Sequence, residues 1–434
     1  MNAEVRAIKT PAEQALSAAY TAARGKLPGK GSIPDLREAA FQRFDAAGLP
    51  HRRIEEWKYT DLRALMREAK PLAEPTKSRS KVPALPGLGA GRIAIVNGRY
   101  EPTWSDFKPG AGIDLSELFS FAAAQKAYRL GDVPGHDDVA LSLNTAFMTG
   151  GVALRVTKDA NVKNPIEIAH VFTGETAAAM YPRSVVVVEP GARVTLIESF
   201  NGPSGIDYQV NSALEFVIGE GAHVDHIVIG RDGDSALRIS TLGAKVGANA
   251  VYNDFTFTSG GAVVRNQIFV RFDGEGTQSA IGGATLLKER QHADNTLVIS
   301  HAAGGCTSRE RFRTVLDGAS HGIFQGKIIV EPHAQKTDAK MASHALLLSD
   351  EAEADNKPEL EIFADDVQCG HGATAGALDS ALKFYLMSRG IPEKEAEVLL
   401  IQAFVGEAIE DIANEGIREA LLDAAAKWLE ARGR

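Results

Sequence analysis

The chain of 434 residues is too long for one small hydrophobic core, and its length predicts two or three structural units. Hydrophobic residues make up 44% and charged residues 24%, which is typical of a globular protein and excludes a wholly disordered chain. The net charge of −9 argues against general binding to nucleic acid or to anionic membranes, because both require a basic surface.

Cysteine usage and the N-terminus bear on the compartment. Cys306 and Cys369 are the two cysteines, which are too few for a disulfide framework. The chain opens without a charged-then-apolar leader and a small-residue cleavage site, so we expect a reducing cytoplasm. We expect no membrane span, because no run of eighteen apolar residues occurs.

Residues 1–150 are predicted to form an N-terminal helical region with a linker. Strong helix formers dominate Thr10 to Lys70, and Pro34 opens a second helix. The glycines and lysines of 25–32 miss the spacing of a phosphate-binding loop by one residue, and no strand precedes them, so we predict an ordinary loop. Prolines in a stretch rich in Lys, Ser and Gly indicate the linker: Pro71, Pro75, Pro83 and Pro86.

Two further elements are predicted before the central region. Arg92 to Val96 has the pattern of a strand, which Asn97-Gly98 would turn. Leu115 to Leu130 has the composition of a helix.

Residues 151–368 have a different pattern, in which short strands alternate with glycine turns. Alternation in Val152–Val156 and Arg193–Ile197 fits half-buried strands. Similar turn phrases recur around Gly191, Gly221, Gly247 and Gly276, at intervals of 30, 26 and 29 residues, and again at Asp317-Gly318-Ala319. These intervals predict a β-solenoid whose open ends need helical caps. On periodicity alone, a β-sandwich stays an alternative.

Residues 369–434 are predicted to form a C-terminal helical domain. A first helix near Ser380 to Ser388 stops at Gly390, and Pro392 starts the second. The second helix has a broad apolar stripe, formed by Ala396, Leu399, Leu400, Ala403, Phe404, Ala408, Ile409 and Ile412. The third helix has a single apolar face: Ile417, Leu421, Leu422, Ala425, Trp428 and Leu429. Such stripes serve either packing within the chain or docking of a partner.

Cys369 and His371 are the strongest candidates for a metal site. Thiolate and imidazole groups are common ligands for iron, zinc or a cluster, and one intervening residue puts both side chains on the same side of an extended strand. In isolation, such a pair is more often structural. Cys306 is a weaker third candidate, which a solenoid could bring near Cys369, although a free cysteine in a β core is usually a small buried hydrophobic residue.

Other candidate groups favour no catalytic or metal site. His223 and His226 are spaced to lie on opposite faces of a strand, and so are Asp365 and Asp366, which argues against a joint metal site or a paired acid and base. The sequence has no nucleophile elbow, H-E-x-x-H motif or dinucleotide-binding fingerprint, which lowers the case for an independent enzyme.

The segment from Asp365 to Gly376, followed by Phe384 to Ile391, reads DDVxCxHGATxG and FYLxSRGI. It resembles the SufD family, the accessory subunit of the SUF iron–sulfur cluster assembly machinery. The related SufB family usually carries a glutamate where Gly372 stands. Gly370 replaces the usual serine and Ala375 the usual valine, and neither change removes a ligand-capable group. Further similar blocks are Phe324–Ile328, Ala334–Asp338, Leu346–Ser349, Lys357–Ile362 and, upstream, Glu56–Thr60.

The resemblance implies a right-handed parallel β-helix between N-terminal and C-terminal helical domains, which makes the β-sandwich less favoured. It also implies a scaffold subunit without turnover that pairs with a SufB-like subunit, docks a SufC-like ATPase through the C-terminal helices, and forms a homodimer when SufB is absent. His371 matches the family histidine implicated in cluster assembly at the SufB–SufD interface, and Cys369 matches a family cysteine of less functional weight. The chain alone is then expected to hold no tight cofactor, because iron or a transient cluster belongs to the complex.

Two other functions remain open from the sequence. A β-solenoid enzyme acting on carbohydrate would present a polar groove, but the low aromatic content of 7% and the missing leader count against it. A SufB-type principal scaffold would need more thiols than two, and Gly372 also counts against it.

Overall fold

The computed structural model describes residues 9–76, 88–124 and 130–432. Its α-helices are α1 (Pro11–Ala23), α2 (Ile33–Ala47), α3 (Leu62–Leu65), α4 (Leu118–Ala124), α5 (Val139–Phe147), α6 (Ser380–Ser388), α7 (Glu393–Ile409) and α8 (Glu415–Arg432). Its strands are β1 (Gly91–Val96), β2 (Arg99–Tyr100), β3 (Ile113–Glu117), β4 (Val152–Val156), β5 (Ile166–Val171), β6 (Ala179–Met180), β7 (Arg183–Val188), β8 (Arg193–Asn201), β9 (Gln209–Ile218), β10 (His223–Arg231), β11 (Leu237–Val246), β12 (Val251–Thr258), β13 (Val263–Phe272), β14 (Gln278–Leu287), β15 (His292–His301), β16 (Thr307–Leu316), β17 (His321–Val330), β18 (Asp338–Leu347), β19 (Glu353–Ile362) and β20 (Gln368–Gly376).

The strands form a parallel β-solenoid of about eight turns, as predicted. From β7 onward the chain alternates between sheet 1, which ends in β16, β18 and β20, and sheet 2, which ends in β15, β17 and β19. Paired positions one coil apart differ by 26 residues at Leu237 and Val263 and by 32 at His321 and Glu353. The β-sandwich alternative is wrong, because antiparallel pairing among the described strands is confined to β1–β2 and β3–β4. The right-handed sense stays a prediction.

The recurring turns that lead from sheet 2 to sheet 1 place one residue in the left-handed backbone region. Gly191, Gly221 and Gly276 occupy this position with φ of 71°, 64° and 70°. The equivalent residue of the intervening coil is Asn249 with φ of 53°, and not Gly247, on which the predicted spacing rested. Asparagine tolerates this conformation better than other non-glycine residues. The predicted repeat assumed a glycine at every turn, so it placed this turn two residues too early. Gly318 lies at the opposite edge, in the turn from β16 to β17.

Helices cover the outer faces of the two sheets. Side chains of α7 and α8 such as Ile401 and Leu421 pack on outward residues of sheet 1, including Phe255 and Leu286. The N-terminal helices pack similarly on Ile239 and its neighbours in sheet 2. The expectation of helices over the open ends is therefore wrong at the C-terminal end, because β19 and β20 consist of half-buried and exposed residues. No described helix combines the length and apolarity that a bilayer crossing needs.

The segment around Trp57 fastens the N-terminal helices to sheet 2. Trp57 is buried, and the Arg265 guanidinium lies 3.9 Å from its ring centroid. Arg265 Nη2 also donates to the Glu56 carbonyl oxygen at 2.7 Å, and Lys357 Nζ lies 2.5 Å from Glu55 Oε1. Together these contacts tie residues 55–57 to β13 and to the final coil.

The N-terminal elements differ from prediction in one place. The strand and turn at Arg92–Gly98 are confirmed as β1 and its turn into β2, and β1 is paired in sheet 1. Leu115 to Glu117, however, belong to β3, because they pair with β4, and the helix starts only at Leu118. Residues 125–129, together with Pro83 and Pro86 of the predicted linker, lie outside the described residues.

The C-terminal helices begin and end close to their predicted positions, but the end of the solenoid and the buried face of α7 differ from the prediction. Strand β20 extends the solenoid to Gly376, beyond the predicted limit at 368, because its glycine-rich sequence pairs in full register with β18. In α7 the buried face runs through Ile401 and Val405, while Leu399 is 41% exposed. The predicted stripe was too broad to identify which side contacts the sheet.

Substitution of Asn249 tests its role in the turn. We expect Asn249→Gly to leave the free energy of unfolding nearly unchanged, because glycine adopts positive φ freely. Asn249→Val should lower it by about 1–3 kcal/mol, because a β-branched residue is strained there. Urea denaturation of both variants measures the difference, and equal midpoints would show that the turn does not depend on this conformation.

Candidate functional site at the terminal coil

The terminal coil, β19 with β20, ends both sheets and has free edges. Strand β20 pairs with β18 on one side, and β19 pairs with β17 on one side. Their other edges carry backbone groups that are open to another chain. Ile362 and Phe363, at the turn between the two strands, are 40% and 62% exposed. The terminal coil is therefore a surface suited to protein contact.

Cys369 and His371 lie on the inner face of β20, as their spacing predicted. Cys369 pairs in register with Ala339 and His371 with Met341, and both of these residues point into the solenoid core. The Cys369 side chain is half-buried against that core, whereas His371 is exposed. Burial raises the pKa of the Cys369 thiol above its usual value. The pair lines an open cleft of about 380 Å³ with Met341 and Lys340.

The outer face of β20 is bare at the same level. Side chains added at Gly370 or Gly372 would meet no atom within 4 Å. The backbone beside Cys369 and His371 is thus accessible from outside as well as from the open end of the coil. A partner or a metal can approach this strand closely.

Cys306 is not brought to the pair. It is fully buried in the interior, and its Sγ lies 3.3 Å from the Gly274 carbonyl oxygen. Its own carbonyl accepts from Asp338 N, which places it two coils from Cys369 and two residues out of register. Strand geometry then separates the two Cα atoms by about 10 Å across the strands and about 7 Å along them. The structure favours the interpretation of Cys306 as a small buried hydrophobic residue.

A buried carboxyl group lies beneath the pair and was missed from the sequence. Glu310 occupies the inward position that continues through Met341 to His371 in the next two coils. It is 2% exposed, and within the described part of the chain neither carboxylate oxygen has a hydrogen-bond partner. Burial raises its pKa from 4.5 to about 8. The sequence did contain a signal for this position. Glu310 is two residues from both Ser308 and Phe312 on one strand, so its side chain lies on the same inward face as theirs.

Further along the interior, a polar network links four successive strands of sheet 1, from β5 to β12. Glu198 accepts from His170 Nε2 at 3.0 Å and lies 3.5 Å from His226 Nε2, while His226 Nδ1 lies 2.6 Å from Asp254 Oδ2. Burial alone would raise the pKa of Glu198, but the two histidines outweigh it and lower the pKa to about 2. Burial likewise opposes charge on His226, yet Asp254 and Glu198 raise its pKa to about 9. The network is a compensated charge cluster.

The remaining histidine and aspartate candidates stay apart. His226 is buried inside the solenoid, whereas His223 lies on the outer face, as predicted. Asp365 and Asp366 lie in the turn before β20 and not in a strand, and Asp366 pairs with Lys336. Within residues 9–76, 88–124 and 130–432, no three His, Cys, Asp or Glu side chains converge as a metal site would require.

The raised pKa of Glu310 predicts a pH dependence of stability. Between pH 4.5 and about 8 the folded chain holds a proton that the unfolded chain has lost, so stability falls as pH rises through this window. Glu310→Gln should remove that loss, because glutamine does not titrate. The free energy of unfolding of the variant minus that of the native chain should therefore be larger at pH 8.5 than at pH 5, by roughly 1–3 kcal/mol. Denaturant titrations at both pH values measure the effect, with the exposed Glu175→Gln as control; an equal gain at both values would contradict it.

Two family profiles and several known proteins are similar to this chain. The profile described as "SUF system FeS cluster assembly, SufBD core domain" matches residues 170–404, and the "SufBD protein N-terminal region" matches residues 12–168. The iron–sulfur cluster assembly protein SufD of Escherichia coli is 29% identical over 88% of this chain and 90% of its own length. SufBD family proteins of Synechocystis sp. and Mycobacterium tuberculosis are 32% and 30% identical, over 88% and 89% of this chain and 87% and 91% of their own lengths.

The two profiles together span the N-terminal helices, the solenoid and most of α7. The terminal coil with Cys369 and His371 falls within the core profile. The chain belongs to the SufBD family of SUF-system iron–sulfur cluster assembly proteins and is similar to SufD.

Proposed function

We propose that this protein is a SufD-like accessory scaffold that pairs with a SufB-like subunit through its terminal coil. The observation that carries the proposal is the combination of free strand edges with an exposed His371 on the same coil. A parallel edge offers its hydrogen-bonding groups to the edge of a second solenoid, so that the two sheets continue across the interface. His371 and Cys369 would then lie at the seam between the subunits.

The donor set explains why a partner is needed. An iron–sulfur cluster is held as a rule by four protein ligands, mostly cysteine thiolates. The terminal coil supplies one imidazole and one thiol. Because burial raises the pKa of the Cys369 thiol, iron must displace the thiol proton in order to bind there. We therefore assign to His371 the task of holding iron or a nascent cluster as cargo, with Cys369 as a secondary donor and the partner supplying the remaining ligands. Turnover is not assigned to this chain.

The C-terminal helices suit the docking of a SufC-like ATPase. Helix α6 exposes four large apolar side chains, of which Phe384 and Tyr385 are 72% and 53% exposed, and Leu399 of α7 is 41% exposed. The α6 patch comprises Leu382, Phe384, Tyr385, Met387 and Leu399. Exposed apolar residues that cluster in this way are typical of protein interfaces. ATP hydrolysis in the docked subunit would move these helices and so rearrange the interface at the terminal coil.

Alternatives to the accessory role are less well supported. A principal scaffold needs several thiols at the assembly site, and here Cys306 is buried two coils away. In the absence of a SufB-like chain, the same free edges would let two copies pair as a homodimer. A carbohydrate groove has no support from the family matches.

Replacement of His371 tests the assembly role. We expect His371→Ala to keep the fold and the binding of both partners, because the side chain is exposed, and to reduce cluster formation by at least about tenfold. Anaerobic reconstitution of the three-subunit complex, with iron and sulfide content and the visible absorption of the cluster as readouts, measures this.

The matched control for that experiment is His136→Ala, which removes an exposed histidine far from the terminal coil in sequence. It should form clusters like the native chain. A full cluster yield from His371→Ala would remove the assigned role even if the complex forms normally.

Substitution within the α6 patch tests the docking surface. Phe384→Asp should weaken ATPase-subunit binding by about 10- to 100-fold, because a charge replaces a large interface anchor, while the SufB-like partner still binds. Calorimetry with each purified partner measures the two affinities. Leu422→Asp, an exposed apolar position on α8 outside the patch, serves as control; equal losses from both variants would indicate general damage to the helical layer and contradict the assignment.

A further inference from the structure

Strand β20 has few side chains with which to hold its place at the end of sheet 1. From Gly370 onward, its outward positions are Gly370, Gly372, Thr374 and Gly376. Thr374 therefore offers the one side chain of that stretch of the outer face. On the inner face, Cys369 packs against the solenoid core, whereas His371 is exposed, and the outer edge of the strand is free. The position of His371, three residues before Thr374, thus depends on a small number of contacts.

A hydrogen bond ties Thr374 to the neighbouring coil. The Thr374 hydroxyl oxygen lies 2.6 Å from His344 Nδ1 on the outer face of β18. Burial lowers the pKa of His344 and the charge of Arg313 lowers it further, so the imidazole is neutral at neutral pH. A neutral imidazole has one donor nitrogen and one acceptor nitrogen. His344 can therefore bond to one hydroxyl group and also accept from a second donor.

Arg313 joins this bond to helix α7. It lies beside His344 in the register of β16 and β18, and His344 lies beside Thr374 in the register of β18 and β20. The Arg313 guanidinium pairs with Glu407 and lies 4.6 Å from the centroid of the Phe404 ring. Its Nε is buried without a hydrogen-bond partner among the residues that the structure describes. We call Arg313, His344 and Thr374 the outer relay, because they lead from α7 to β20.

Helix α7 is in turn fastened to α6, which carries the α6 patch. Lys383 Nζ of α6 lies 2.9 Å from Glu393 Oε1 and 3.1 Å from Glu397 Oε1 of α7. Lys383 is adjacent in sequence to Phe384 of the α6 patch. A partner that moves α6 therefore moves α7 as well, and residues 377–379 also connect α6 directly to β20.

We propose that Arg313 and His344 are positioning residues through which α7 sets the place of His371 on β20. While α7 is seated on sheet 1, Glu407 holds the guanidinium and His344 stays bonded to Thr374. When α7 lifts, the guanidinium loses its anion and turns its donors to the neutral imidazole. The bond to Thr374 is then lost, and β20 is free to move at the seam between the subunits.

A second ion pair between α7 and sheet 1 lacks such a relay. Asp411, just beyond the end of α7, pairs with Arg311 at 2.6 Å. The positions beside Arg311 in β18 and β20 are Ala342 and Gly372, which have no polar side chain. Loss of this pair loosens the helix without a polar route to β20. Asp411→Asn is therefore the matched control for Glu407→Gln.

Hydrogen exchange of the β20 amides that bond to β18, measured on the full-length chain, tests the outer relay. Glu407→Gln and Thr374→Val should each raise the exchange rate about three- to tenfold, and the double variant no more than the larger single effect. The alkylation rate of Cys369 should follow the same pattern, because Cys306 is buried. Thr374→Ser keeps the hydroxyl group and Asp411→Asn leaves the relay intact, so both should exchange within about twofold of the native chain.

Three outcomes would overturn the proposal. The first is no increase from Glu407→Gln. The second is a double variant whose rate increase equals the product of the two single increases, since independent contacts do not couple. The third is an equal increase from Asp411→Asn and Glu407→Gln, which would show a general loosening of α7. Thr374 and Glu407 are both exposed, so these variants should fold, and circular dichroism checks that they do.

The outer relay has a purpose only within the proposed function, on which this inference rests. The exchange measurement, however, needs neither a partner nor iron. Coupled exchange together with a full cluster yield from His371→Ala would contradict the proposed function alone. Independent effects of Glu407→Gln and Thr374→Val, together with a reduced yield from His371→Ala, would contradict the relay alone.

Discussion

Each strand of the solenoid finds its hydrogen-bond partners one coil before and one coil after it, at constant register. Every coil must therefore return to the same position after two strands and two turns, whatever its exact residue count. This constraint aligns side chains into columns, such as His226, Asp254, Ile281, Glu310, Met341 and His371 along one inner line. It also means that the last coil has partners on one side alone, so the surface available for association follows directly from the fold.

The inner columns contain charge as well as apolar side chains. Glu198, His226 and Asp254 compensate one another, so their burial costs less than that of a lone ion. Glu310 differs because Ile281 and Met341 separate it from the neighbouring polar groups of its column, and it is held as a neutral acid near neutral pH. The interior thus becomes electrostatically simpler toward the terminal coil, where His371 is exposed.

Local sequence signals predicted much of the fold and part of the site. Alternation identified strands such as β4, proline and glycine marked α6 and α7, and spacing placed Cys369 with His371 on one face. What failed depended on coil register, which a local window does not contain. The turn at Asn249, the exposed face of α7 and the extension of the solenoid through β20 to Gly376 are set by neighbouring coils. The isolation of Glu310 likewise arises from residues in the coils above and below it.

The contacts that tie residues 55–57 to β13 and to the final coil can form only late in synthesis of the chain. They involve Arg265 and Lys357, which are separated in sequence from their partners Glu56 and Glu55 by 209 and 302 residues. At a synthesis rate of about 5–20 residues per second, the N-terminal helices wait roughly 15–60 s on the ribosome for the last of these contacts. Their apolar faces are unprotected during that interval. The nascent chain is therefore expected to be a substrate for chaperones until the later coils emerge, even though each solenoid coil needs little more than the coil before it to fold.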